Sequence, residues 1–203
     1  MAPRAIHLRR AGPWHTGGVT MALILLLAAV WLAHQGARWP LAVGAALLAA
    51  AWAGTTLPDV DLALGLGHRS GLTHSVLPAA VASYRRRWWP VAAGLALGIG
   101  LHLSADLFPN AMRGYATMKL PGAGAIGADE SYLWIAVNAA LALAAGAWLA
   151  FAVTGARLAT VLLAGVALIG VGYLFRTDGG WWALGLFAAL GWLVWRGRAA
   201  IVQ

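Results

Sequence analysis

The sequence contains no cysteine, which removes disulfides, thiolate metal ligands and cysteine nucleophiles together. Charge is scarce as well: Asp, Glu, Lys and Arg make up 10% of the 203 residues, against roughly 25% in a soluble domain. Only six residues are acidic, and no segment is long and polar enough to form a second, water-soluble domain. These shortages exclude an ordinary soluble globular protein. What is present is apolar: 62% of residues fall in the hydrophobic set, with 26 glycines and 12 tryptophans. A net charge of +8 in a hydrophilic chain would suggest nucleic acid. Here the cations occupy the gaps between apolar runs, where Lys and Arg anchor helix ends among lipid headgroups. The expected partners are therefore membrane lipids and no nucleic acid.

Stretches near the ~20 residues that cross hydrocarbon run over 17–33, 41–55, 72–84, 88–108, 132–153, 158–175 and 181–195. This pattern predicts an all-α, polytopic transmembrane helical bundle of about seven membrane helices. It forms one integral membrane domain over 1–203, with three further membrane helices in 131–196 after a first half that carries the polar motifs. The third stretch is short and holds Pro78, which also suits a re-entrant segment. Trp14, Trp39, Trp88, Trp89, Trp134, Trp181, Trp182 and Trp195 fall near the ends of these runs, as in an interfacial aromatic belt. Arg4, Arg9 and Arg10 ahead of the first run imitate a secretory signal, but no clear small-residue cleavage site follows, so the segment is read as retained.

Ionisable groups in or beside membrane helices are costly and so point to function. Asp59 and Asp61 follow the second run in Leu-Pro-Asp-Val-Asp, and His68 and His74 lie in the next loop. His102 and Asp106 stand near the end of the fourth run, and His15 precedes the first. Residues at i and i+4 share a helix face, so His102 and Asp106 can bind one metal ion. An Asp-x-Asp pair can direct both carboxylates to one side on extended backbone. Imidazole with carboxylate suits zinc, manganese or iron(II). The number of ligands allows one or two ions, and a two-metal site clamps both oxygens of a phosphoryl or acyl transfer. If every run crosses the membrane, all seven residues emerge on one face. A re-entrant third segment would instead separate His102 and Asp106 from His68 and His74.

At these residues the chain resembles the YdjM-like family, described as LexA-binding, inner-membrane, metal-dependent hydrolases. The shared pattern is Trp14-His15-Thr16, then Leu57 to Asp61, then His68-Arg69 with Thr73-His74-Ser75, then His102 to Asp106, so that it covers roughly 14–110. The spacing between His68-Arg69 and Thr73-His74-Ser75 is one residue longer than the pattern, and Leu107-Phe108-Pro109-Asn110 replaces a Thr-Pro-x-Gly type of turn. The resemblance implies that Asp59, Asp61, His68, His74, His102 and Asp106 are the metal or catalytic set, with His15 a further ligand. Arg69 would suit a phosphate or carboxylate through its planar fork. Thr73 or Ser75 would orient a ligand, or Ser70 or Thr73 would cap the third helix.

The function expected from these residues is a metal-dependent hydrolase embedded in the bacterial inner membrane. It would act on an ester or phosphoester, lipid-like substrate at the membrane interface, with Asp61 or His74 moving the proton. Two other classes use the same residues: a metal or proton transporter, and a non-catalytic membrane protein with a structural metal. Transport sites usually lie near the bilayer midplane, whereas these ligands lie at helix ends and in a loop. Elsewhere, Asp129 and Glu130 read as helix-start charges, Asn138 as an interhelical hydrogen bond, and the long loop 110–131 as a lid. The fourteen cations divide equally between the two expected faces, so the positive-inside rule leaves orientation open.

Overall fold

The computed structural model describes residues 13–36 and 39–201, with side chains over 17–36, 41–196 and at Trp39. It is mostly helical: α1 (Pro13–Gln35), α2 (Pro40–Gly54), a short α3 (Val60–Ala63), α4 (Leu77–Ser83), α5 (Trp89–Asp106), α6 (Ala128–Leu174) and α7 (Gly180–Ile201). The only β-structure among the described residues is a hairpin of β1 (Lys119–Leu120) and β2 (Gly124–Ala125), with an isolated bridge from Ser70 to Lys119. Three helices, in Gly17–Gln35, Arg86–Asp106 and Ala128–Leu174, are long and apolar enough to cross a membrane. The pair Leu41–Gly54 and Leu57–Ala63, bent by 49°, makes a fourth if it acts as one span.

Small residues decide how these helices meet. Helix α5 is the buried axis of the bundle, with every residue from Pro90 to Ala105 inside. A methyl group on Gly94 would overlap the Leu47 carbonyl, and one on Gly98 the Ala51 carbonyl. This small-xxx-small spacing lets the backbones of α2 and α5 touch. Because 47 meets 94 and 51 meets 98, the two helices run parallel. Gly100 meets Leu143 while Gly146 meets Leu97 and Ala93, so the first arm of α6 runs antiparallel to α5. The chain then breaks at Gly155, whose φ of 73° is a conformation glycine enters freely. The second arm returns with Gly165 on Leu48 and Gly170 on Leu101, parallel to α2 and α5. Large side chains point outward, as with Leu27, Leu41 and Leu168 at 72%, 82% and 75% exposed. An apolar exterior around an Ala- and Gly-rich interior suits a lipid surround.

The third apolar run differs from the expected helix over 72–84. Only Leu77–Ser83 is helical, about 10 Å of rise against ~30 Å of hydrocarbon. The chain nevertheless returns to the opposite end of the bundle, since α2 and α5 are parallel. It does so because the preceding loop runs inward before the helix starts. Trp134 donates its indole N–H to the His74 carbonyl at 3.0 Å, and the Val76 N–H donates to Asn138 Oδ1 at 3.1 Å. Asn138 lies about 15 Å along α6 from its start, so α4 has only the remaining depth to cover. Asn138 thus serves the backbone of a loop, where an interhelical bond was expected, while Asp129 and Glu130 stand in the first turn of α6 as expected.

Candidate metal centre

The site forms where α2 and α5 end side by side. Beyond α2 the chain turns through Leu57–Asp59 into α3, which brings Asp59 and the fully buried Asp61 beneath the loop carrying His68 and His74. His102 and Asp106 come from the last two turns of α5. The metal-binding atoms of Asp59, His74 and His102 all lie within 4.8 Å of one another. Among the described residues this is the one such group, and it could hold a metal ion.

Hydrogen bonds fix which ring nitrogens face this centre. The Thr55 carbonyl, 3.0 Å from His102 Nδ1, can only accept, so Nδ1 carries the proton and the lone pair sits on Nε2. The Tyr173 hydroxyl oxygen, 2.9 Å from the same Nδ1, accepts that N–H as well. In His74 the Thr73 hydroxyl donates to the Ser70 carbonyl and lies 3.1 Å from Nδ1. Asp61 Oδ2 is 3.3 Å from that Nδ1 and accepts the Ser70 N–H at 3.0 Å. His74 therefore also offers the lone pair of Nε2. Burial pushes the His74 imidazole well below its ordinary pKa, with the neighbouring His102, His68 and Arg69 acting in the same direction, so the ring is in its neutral, ligating form.

Three buried polar atoms, His74 Nε2, His102 Nε2 and Asp106 Oδ2, have no hydrogen-bond partner, yet they face each other. Asp106 Oδ2 is 3.5 Å from His74 Nε2 and 3.7 Å from His102 Nε2, and Asp59 Oδ1 is 3.9 Å from His102 Nε2. These separations are too long for hydrogen bonds. They are close to the edge of a tetrahedron about 3.3 Å long, which follows from metal–ligand bonds of ~2.0–2.1 Å. Lone pairs that meet without a proton between them would be costly to bury; a divalent cation on the two imidazoles, with a water donating to Asp106 Oδ2, would satisfy all three. The residues present therefore fit a metal ion.

The remaining candidates take other places. Asp61 stands behind His74, on the Nδ1 edge, and orients the ring in the manner of a carboxylate–histidine–metal triad. It lies outside the three-residue group: Oδ2 accepts the Ser70 N–H, and Oδ1 is buried without a partner. His68 stacks on Tyr115 at 4.5 Å and meets the His74 ring edge-on at 6.2 Å, so it forms a wall of the site outside the three-residue group. Burial, then Arg69, lowers its pKa. The side chain of His15 lies outside the described residues, as do Arg4, Arg9 and Arg10.

Both terminal nitrogens of Arg69 are engaged by the protein: one reaches Asp106 Oδ1 at 2.9 Å and the other donates to the Ala116 carbonyl at 2.8 Å, while Nε is buried without a partner. Its backbone φ of 59°, rare for a side-chain-bearing residue, turns the guanidinium inward while the Arg69 carbonyl accepts the Lys119 N–H at 3.0 Å. The loop 110–131, expected as a lid, is thus pinned to the Arg69–Gly71 backbone through the β1–β2 hairpin. Thr73 contacts His74, and Ser75 Oγ accepts the Leu77 N–H at 3.3 Å. Sequence reasoning passed over Thr55 and Tyr173. A phenol inside an apolar helix needs a polar partner, and that was the available signal for Tyr173.

Comparison of the chain with protein-family models, with curated proteins and with solved structures gives no match in any of the three.

Proposed function

We propose that this protein is a metal-dependent hydrolase embedded in the bacterial inner membrane, cleaving a phosphoester or ester, in keeping with the YdjM-like resemblance of its motifs. The observation that carries the reading is the convergence of His74 Nε2, His102 Nε2 and Asp106 Oδ2, buried and unpaired, beside Asp59. Asp59, His74 and His102 hold the ion, and two imidazoles with a carboxylate favour zinc over magnesium. A divalent cation supplies a lowered pKa for water and polarisation of the scissile group.

The chain's own residues do the rest. The Asp59 side chain, 35% exposed, gives the centre its open side. Asp106, held by Arg69 through its other oxygen, turns Oδ2 toward the centre and accepts the proton of the attacking water. As the water oxygen bonds to phosphorus or acyl carbon and the ester bond breaks, Asp106 returns that proton to the leaving oxygen. Asp61 and Thr73 keep His74 in register, and Thr55 and Tyr173 do the same for His102.

Elemental analysis of purified protein beside Asp59→Ala and His102→Ala, together with hydrolysis of a phosphoester and ester panel, tests this. About one equivalent of transition metal in the parent and little in the variants is expected, with turnover of at least one substrate class. Metal without turnover of any substrate would favour a structural ion, and His102-dependent metal uptake into proteoliposomes would favour transport.

A further inference from the structure

A groove of about 430 Å3 lies on the outside of the bundle, between the end of α2 and the end of the second arm of α6. Its two ends differ in chemistry. Trp52, Leu168 and Ile169 line the apolar end, and Trp52 and Leu168 are 57% and 75% exposed, so this end opens on the exterior that faces acyl chains. Thr56, Arg176 and Thr177 line the polar end. Arg176 is exposed and makes no ion pair among the described residues. Gly172 keeps the middle clear, since a Cβ there would meet nothing within 4 Å.

The polar end adjoins the metal centre through shared chain. Thr55, on the groove wall, accepts the His102 Nδ1–H, and Tyr173 on the opposite wall touches the same nitrogen. The Asp59 N–H donates to the Thr56 carbonyl at 3.2 Å, so the open, Asp59 side of the centre is one turn from the groove's polar rim. An apolar trough leading to an unpaired cation beside a buried ligand set matches an amphiphile with a negative headgroup.

We propose that this groove seats an acyl chain of an anionic phospholipid, with its phosphate against Arg176, and presents the headgroup to the Asp59 side of the centre. The substrate class is then a membrane-resident phosphate ester that enters sideways from the leaflet. This inference rests on the hydrolase reading above for its catalytic meaning, but the lipid site is measurable without turnover.

The test uses the full chain in phosphatidylcholine vesicles carrying a trace of diazirine-labelled phosphatidylglycerol or, in parallel, diazirine-labelled phosphatidylcholine. Phosphatidylglycerol is expected to label 52–56 and 168–177 at least five-fold more than phosphatidylcholine does. Arg176→Gln should remove that preference, and Gly172→Trp should cut labelling there at least ten-fold. Millimolar inorganic phosphate should not compete. Equal labelling by both lipids that neither variant changes, or labelling spread evenly around the bundle, overturns the proposal. If Gly172→Trp fails to fold, Arg176→Gln, an exposed substitution, decides alone. Metal content is read in the same samples: metal without groove labelling removes this site only, and groove labelling without metal removes the hydrolase reading only.

Discussion

His102 and Thr55, 47 residues apart in sequence, are joined by a 3.0 Å hydrogen bond from the His102 Nδ1–H to the Thr55 carbonyl. The Thr55 carbonyl is freed at the end of α2, where the last helical carbonyls lack intrahelical donors. One helix end therefore fixes the tautomer of a candidate ligand on the next, and Tyr173 adds a second acceptor from a third helix.

Tyr173→Phe removes that second acceptor while keeping the ring. The His102 tautomer survives through Thr55, so the centre should still bind metal, with affinity about ten-fold weaker, the lower end of the usual effect of an outer partner. Competition titration with a fluorescent zinc chelator measures it. An unchanged affinity would mean that Tyr173 packs against His102 without orienting it.

Asp61 makes a sharper case, because it is fully buried and contacts His74 only on the Nδ1 edge. Asp61→Asn should lower metal affinity about 10–100-fold while leaving the stoichiometry at one ion. If Asp61 were a direct ligand, the bound metal would instead be lost, as in His102→Ala. Elemental analysis at saturating zinc separates the two outcomes.

Much of this centre was legible in the sequence, and the reasons differ by residue. His102 and Asp106 announce themselves through i,i+4 spacing at the end of an apolar run, and Asp59 through its place directly after a helix end. The break at 154–157 was legible too, since Gly155 supplies the positive φ that two antiparallel arms need. Asp61 looked equivalent to Asp59 because an Asp-x-Asp pair has no orientation until the backbone is known; the tight α3 turn separates the two. The third helix was overextended because 72–76 is flanked by apolar residues, yet Ser70, Thr73 and Ser75 bond to local backbone and keep that stretch in turns. The 119–125 hairpin carries no alternating pattern in the sequence, and its Lys119 pairs with the distant Arg69 to Gly71 backbone.

The buried histidines predict how the metal-free protein responds to acid. Burial holds the His68 and His74 pKa values below the ordinary ~6.5, so in the folded state they stay neutral where the unfolded chain takes up protons. Above about pH 7 both states are neutral at these rings and they contribute no pH dependence. As pH falls below ~6.5 the unfolded state binds more protons, and stability drops. Thermal unfolding in detergent with chelator present, from pH 7.5 to 6.0, should show a falling midpoint, with a shallower fall in His74→Gln. Burial raises the Asp61 carboxyl pKa, which acts in the opposite direction, so a midpoint that rose with acid equally in the parent and in His74→Gln would contradict neutral, desolvated rings as the dominant effect.

Packing one helical turn before His102 should reach the centre through α2. A methyl group on Gly98 overlaps the Ala51 carbonyl and crowds Gly54, so Gly98→Ala must push α2 and α5 apart in the last turns before Thr55. The expected cost is about 1–3 kcal/mol, as for overpacking elsewhere. Because Thr55 moves with α2, its carbonyl should lose register with His102, and metal affinity should fall together with the unfolding midpoint. Gly185→Ala on α7, where the added Cβ meets nothing within 4 Å, controls for substitution in an apolar helix and should change neither. A Gly98→Ala protein that lost stability yet bound metal with parental affinity would show that the His102–Thr55 bond is not set by the α2–α5 contact.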